Sequence, residues 1–101
     1  QARITISSYG ALLALAVIGV VAPYEEIVMR AWTLWPEVFG LRGYEHKHPD
    51  ARSVTAKLST LRDMGLVVFE RGGWALTREG KLRARHVARA AGVDLAPEVM
   101  L

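Results

Sequence analysis

The chain has 101 residues, is 51% apolar, contains no cysteine and carries a formal charge of +3. That length supports one small domain with a single core. The lack of cysteine excludes disulfides, thiolate zinc sites and cysteine nucleophiles, and leaves the cytoplasm as the default compartment. The charge is unevenly placed. Residues 1–49 are balanced, whereas residues 50–89 hold nine Lys and Arg against Asp50, Asp63, Glu70 and Glu79. Asp94 and Glu98 make the last segment acidic. A basic stretch of this kind is the electrostatic footprint of a nucleic-acid-binding face, or simply a solvated basic surface. The first residue is Gln1, which suits a piece of a longer protein.

In chain order, residues 1–6 read as an extended arm or ragged start. Ser7 or Ser8 suits the cap of a helix running to about Gly19, apolar nearly all round and therefore buried on several sides. Its apolar run, Gly10 to Ala22, is shorter than the ~18–20 residues of a membrane span. No membrane association is expected. Gly10, Ala11 and Ala14 are small enough for a close helix–helix seam in a homodimer. Val20–Ala22 reads as a short strand beside the later hairpin. Pro23 with Glu25 and Glu26 opens a second helix, with an apolar face of Ile27, Val28, Ala31, Leu34 and Trp35 and with Trp32 off its centre. Pro36 kinks or ends that helix, Glu37–Phe39 adds a turn, and Gly40 stops it. Residues 41–49 read as a loop. Its Arg42, Tyr44, His46, Lys47 and His48 are candidates for contact with a phosphate backbone or a protein partner.

The stretch from Asp50 to Thr77 organises the rest. Ala51, Val54, Leu58 and Leu61 recur at helical spacing, Asp50 is a suitable N-cap and Gly65 a suitable stop. Leu66–Glu70 and Trp74–Thr77 then have strand composition, joined by Arg71-Gly72-Gly73, whose glycines supply positive φ angles. Thr77 caps a last helix from about Arg78 to Ala91, ended by Gly92. Leu82, His86 and Ala90 trace its packing face, and Arg78, Lys81, Arg85 and Arg89 a basic ribbon. Residues 92–101 read as an irregular tail outside a core of about 7–91.

A helix followed by a short hairpin with a Gly-rich, Arg-bearing tip, ending in Leu76-Thr77-Arg78-Glu79-Gly80 before a final helix, resembles a winged helix-turn-helix domain. The resemblance implies a mostly helical α+β fold. It would have three to four helices, a C-terminal helix and a small antiparallel hairpin as the wing. It implies duplex DNA as partner and, as setting, transcription regulation or the DNA-binding module of a larger protein, with residues 50–64 as recognition helix and 66–77 as wing. The 41–49 connection is longer than the three or four residues of a compact helix-turn-helix turn.

On a helical wheel Arg52, Ser53, Ala56, Ser59, Thr60 and Asp63 face away from the apolar stripe, with Thr55 and Lys57 flanking it. Arg52 suits guanine N7 and O6, and Ala56 a thymine methyl. Arg62, Arg71, Arg78 and Lys81 complete the candidate DNA-contacting set. Trp74 reads as a packing residue of the hairpin. The pair His46 and His48 and the separate His86 fall short of a zinc site, which needs three or four placed ligands. No metal or cofactor is expected. No nucleophile elbow, phosphate loop or zincin motif is present, and the chain does not read as an enzyme. The other reading is a winged helix that binds protein and not DNA, with Trp32 and Tyr44 as its exposed aromatics.

Overall fold

The structure, a computed structural model, describes residues 2–101, with side chains from Ile6 onward. It is a predominantly helical α+β fold with two small antiparallel sheets of two strands each. The elements are α1 (Ala2–Ile18), α2 (Tyr24–Leu34), α3 (Pro36–Phe39), β1 (Gly40–Leu41), β2 (Tyr44–Pro49) and α4 (Ala51–Asp63). They continue with β3 (Val67–Glu70), β4 (Gly73–Leu76), α5 (Arg78–Ala91) and α6 (Pro97–Met100).

α1 is the axis of the core. Ala11 to Ala16 are all buried, which on a helix means cover around the whole circumference. α2, α4 and α5 all pack against it. Gly10 lets Phe39 lie on the helix, because a Cβ there would overlap the Phe39 ring. The small residues expected to form a dimer seam are therefore enclosed within the chain. α1 also begins earlier than expected. Residues 2–6 are helical and not an arm, because Ile6 continues the buried stripe one turn below Gly10. Gln1, part of the same expected arm, lies outside the described residues. Among the described residues no helix is long and apolar enough to cross a membrane.

Val20–Ala22 pairs beside the hairpin as expected, but only as one antiparallel bridge. Ala22 N donates to Trp74 O at 3.0 Å and Trp74 N donates to Ala22 O at 2.8 Å. α2 buries Ile27, Val28 and Ala31, while Leu34 is exposed. Pro36 opens the single turn α3, which buries Phe39.

The expected loop at 41–49 is a second hairpin. Gly43 takes φ +87° at its turn, and β1 pairs with β2 as Gly40↔Pro49 and Leu41↔Tyr44, with an irregularity between them. The hairpin is pinned at both ends: Trp32 Nε1 donates to Glu45 O at 2.6 Å, and Asp50 N donates to Phe39 O at 2.7 Å. Its residues lack strand alternation because most of it faces solvent, so hydrophobic periodicity carries no signal there.

α4 faces Val54, Leu58 and Leu61 into the core, as its spacing requires. Asp50 occupies the N-cap position, but its side chain makes no capping bond. At the other end Gly65 N donates to Arg62 O (2.9 Å) and Leu66 N to Leu61 O (3.0 Å), with Gly65 at φ +79°. This is a Schellman stop with Leu61 and Leu66 as its apolar pair. β3 and β4 then pair in register from Val67↔Leu76 to Glu70↔Gly73. The connection is two residues, Arg71-Gly72, and Gly73 already belongs to β4.

Thr77 links three elements. Its Oγ1 accepts from Gly80 N (3.0 Å), capping α5, and donates to Gly65 O (2.6 Å) at the end of α4. Its own N–H donates to Leu66 O at 3.1 Å. Gly80 packs directly on that carbonyl, where a Cβ would overlap the oxygen.

Two features of the C-terminal third differ from expectation. The packing face of α5 is Gly80, Ala84, Val87 and Ala88, whereas Leu82, His86 and Ala90 are exposed. Small side chains let α5 approach α1 closely, so the larger Leu82 is the poorer guide to the interface. The segment after Gly92 is also part of the core and not a loose tail. Ala96 N donates to Ala16 O at 3.1 Å, and Val99 of α6 is fully buried.

Gly80→Ala is expected to cost about 2 kcal/mol or more, because backbone must move to admit the methyl. Thr77→Ala is expected to cost about 1–2 kcal/mol through the lost cap and the lost bond to Gly65. Urea unfolding checks both; losses within experimental error would show that the joint is not what holds α4, hairpin and α5 together.

Candidate functional site

The outer face of α4 is polar. Arg52, Thr55, Ala56 and Arg62 are exposed, and Ser53, Lys57 and Ser59 are half-buried on its flanks. Thr55 Oγ1 donates to Ala51 O at 2.9 Å, so this hydroxyl has spent its proton on the helix and faces outward as an acceptor. Arg62 Nε lies 3.6 Å from Asp63 Oδ1, an exposed contact of little energetic weight. Among the described residues no carboxylate pairs with Arg52, Lys57, Arg71, Arg78 or Lys81. On α4, the β3–β4 hairpin and the start of α5, these five are left available to an external anion.

The β3–β4 hairpin leaves α4 through Gly65 and Leu66 and carries Arg71 at its tip. Arg71 has φ +54° and Gly72 φ +73°. Two positive φ angles in a two-residue connection define a type I′ turn, for which Asn-Gly is the favoured sequence. An arginine there is strained by about 1 kcal/mol relative to a residue that tolerates the left-handed region. Trp74 is half-buried against Phe69, ring centroids 5.3 Å apart in an edge-to-face arrangement, which is a packing role.

The basic ribbon expected along α5 divides in two. Arg78 and Lys81 are exposed near the start of the helix. Arg85 is half-buried further along, where it and Arg89 border a cleft with the returning C-terminal segment. Arg83, outside the expected ribbon, donates to Tyr9 OH at 2.6 Å with its guanidinium 5.5 Å from the Tyr9 ring centroid. That contact ties α5 to α1. The two residues lie 74 positions apart, and no local pattern announces the pair.

The β1–β2 hairpin presents Tyr44, His46 and His48 on one face of β2, all exposed, with the Tyr44 and His48 rings 6.1 Å apart. Arg42 and Lys47 are exposed beside them. Carboxylates stand close by: Glu37 Oε2 lies 3.7 Å from His46 Nε2, and Glu45 on β2 interacts with Arg42. Trp32 is half-buried with its indole N–H engaged, so Tyr44 is the fully exposed aromatic of the two proposed from sequence. His86 stands on the exposed side of α5, not in the core. Among the described residues no group of three His, Asp or Glu side chains could hold a metal ion.

The Glu45 carboxyl is perturbed. The Gly43 amide donates to Oε2 at 3.0 Å and, with the Glu45 backbone N–H, holds its pKa below the usual carboxylate range. Smaller contributions from His46 and Arg42 act in the same sense, and slight desolvation opposes them. A carboxyl depressed on folding contributes stability above its unfolded pKa, and that contribution is lost as pH falls through the folded value.

Set against protein-family models, curated proteins and solved structures, the chain finds no match in any of the three comparisons.

Arg71→Asn is expected to raise stability by about 0.5–1 kcal/mol by relieving the turn, read as a higher urea midpoint. An unchanged or lower midpoint would mean that the arginine is not strained. Glu45→Gln is expected to remove part of the acid destabilisation of the β1–β2 hairpin. Amide shifts of Gly43 followed from neutral to acid pH check this, and an identical titration in both proteins would refute it.

Proposed function

We propose that this chain is a winged-helix domain that binds duplex DNA. In this reading α4 lies in the major groove, the β3–β4 hairpin is the wing, and Arg78 and Lys81 contact phosphates. The order of elements supports it: a helix, a bridge onto the hairpin, a second helix, then α4, the hairpin and a closing helix. The inserted β1–β2 hairpin replaces a compact turn before α4 without moving α4 off the core.

The observation that carries the reading is the pairing of two neighbouring features. The exposed face of α4 offers an unpaired Arg52 and small or hydroxyl side chains, with no carboxylate before Asp63. The next element holds Arg71 at its tip in a left-handed conformation that an arginine does not favour. A major groove admits one helix, and residues near its N-terminal end meet base edges. Arg52 is one residue into α4 and suits a guanine. Thr55, presented as an acceptor, suits the amino group of adenine or cytosine. Ser53, Ala56, Lys57, Ser59 and Arg62 supply close approach and backbone contacts.

Transcription regulation in the cytoplasm is the setting this reading implies. A homodimer would add a two-fold axis and half-sites about one helical turn apart. With α1 enclosed, the exposed Leu82, His86 and Ala90 of α5 offer one surface for it.

A second reading, a protein-interaction module, draws on the β1–β2 hairpin. Its exposed Tyr44 and near-balanced charge suit a protein partner better than a polyanion.

Fluorescence anisotropy with duplex DNA between about 50 and 200 mM salt separates the two. DNA binding is expected to weaken along a straight line in log salt, with a slope of about −0.9 per neutralised phosphate. Lys81→Ala should weaken all sequences alike and reduce the slope by about 1. Arg52→Ala should cost about 1–3 kcal/mol and relax base preference. Absent or salt-insensitive binding contradicts the proposal, and unchanged binding by both variants contradicts the assignment of the surface.

A further inference from the structure

The chain turns back after α5 and encloses space. Val93 N donates to Ala88 O at 3.1 Å, Ala96 N donates to Ala16 O at 3.1 Å, and Val99 is fully buried. Between the last turns of α5 and this returning segment lies a cleft of about 260 Å³. Its apolar wall is Ala88, Val93, Leu95 and Met100, and its charged groups are Arg85, Arg89 and Asp94.

Arg85 and Arg89 stand one helical turn apart, so their guanidinium groups serve the same space. Arg85 Nε is buried and has no hydrogen-bond partner among the described residues. Asp94 borders the cleft but makes no ion pair with either arginine among the described residues. The cleft therefore combines two guanidinium groups without a carboxylate partner among the described residues, one carboxylate and an apolar wall, while Arg85 Nε itself is closed off from it.

We propose that this cleft binds a small organic carboxylate with an apolar body. The carboxylate accepts from Arg85 and Arg89, a geometry that guanidinium groups favour. The apolar body lies against Val93, Leu95 and Met100. The volume is below the ~300–1,000 Å³ of sites for drug-sized ligands, so the ligand is no larger than a substituted ring or a short acyl chain. The net charge of the three groups is a single positive, which one carboxylate neutralises, whereas a doubly charged phosphate would be opposed by Asp94. This site is separate from the α4 face and stands whether or not the chain binds DNA.

Benzoate is the probe, titrated into the full isotope-labelled chain and followed by NMR. Saturable binding is expected, with the largest shifts at Val93, Leu95 and Met100. Benzamide, of the same shape without the charge, should bind at least about tenfold more weakly, and so should inorganic phosphate, which lacks the apolar body. Arg89→Gln, at an exposed position, should cost about tenfold in benzoate affinity, and Arg85→Gln a similar factor with the fold checked by thermal unfolding. The proposal is overturned if benzoate fails to saturate, if benzamide or phosphate binds as tightly, if the shifts fall elsewhere, or if Arg89→Gln binds as well as the native chain.

Discussion

The backbone at Gly65 and Leu66 is the joint on which the arrangement depends. Four contacts meet there: the Schellman stop of α4, the Thr77 N–H on the Leu66 carbonyl, the Thr77 hydroxyl on the Gly65 carbonyl, and the bare face of Gly80 on the same stretch. The hydrogen bonds among them satisfy backbone groups that the end of α4 would otherwise leave unpaired, and the Gly80 contact adds close packing. Together they fix the angle at which the β3–β4 hairpin leaves α4 and the point at which α5 begins. The Ala22–Trp74 bridge then fastens the far strand of the hairpin to the segment after α1. A hairpin of four-residue strands is marginal by itself, so it is this anchoring that allows it to carry a strained residue at its tip.

The two hairpins bracket α4 and differ in electrostatics. β1–β2 feeds its N-terminus through Pro49 and brings Glu37 and Glu45 near its own cations. β3–β4 leaves its C-terminus with Arg71 unpaired at the tip. Between them the outer face of α4 carries little that would repel a phosphate backbone. This asymmetry is why the proposed DNA surface runs from α4 toward β3–β4 and the start of α5, and why β1–β2 supports the alternative partner. α5 divides the same way along its length: its first turn offers Arg78 and Lys81 to solvent, while Arg85 and Arg89 turn toward the cleft closed by α6.

Much of this was legible in the sequence where a local rule operates. The stripe Val54–Leu58–Leu61, the Gly65 stop, the Thr77 cap and the turn at Arg71-Gly72 each follow from spacing or from a single residue's conformational demand. Even the pairing of Val20–Ala22 with the hairpin was expected, though one bridge is less than a strand. Features set by tertiary contact were not legible. The β1–β2 hairpin is mostly exposed and has no alternation to read. Gly80 is identified only when Leu66 is seen beneath it. Leu82 resembled a core residue by size, but the space beside α1 takes alanine. Val99 and the returning segment are held by Ala16, and Arg83 by Tyr9, partners too distant in sequence for any pattern to join. Of the candidate site, Arg52, Ala56 and Arg71 stand exposed as the wheel and the turn placed them, whereas Ser53 and Ser59 are half-buried where the wheel faced them outward, Thr55 is exposed where it was a flank, and the basic ribbon of α5 needed the structure to be divided.

The most direct measurement is an NMR titration of the labelled chain with a short duplex at low salt, read residue by residue. The account predicts that amide shifts concentrate on α4 from Arg52 to Arg62, on Arg71-Gly72 and at Arg78–Lys81, and that the α5–α6 cleft stays unperturbed. Shifts centred on Tyr44–His48, or no shifts with the protein folded, would contradict it.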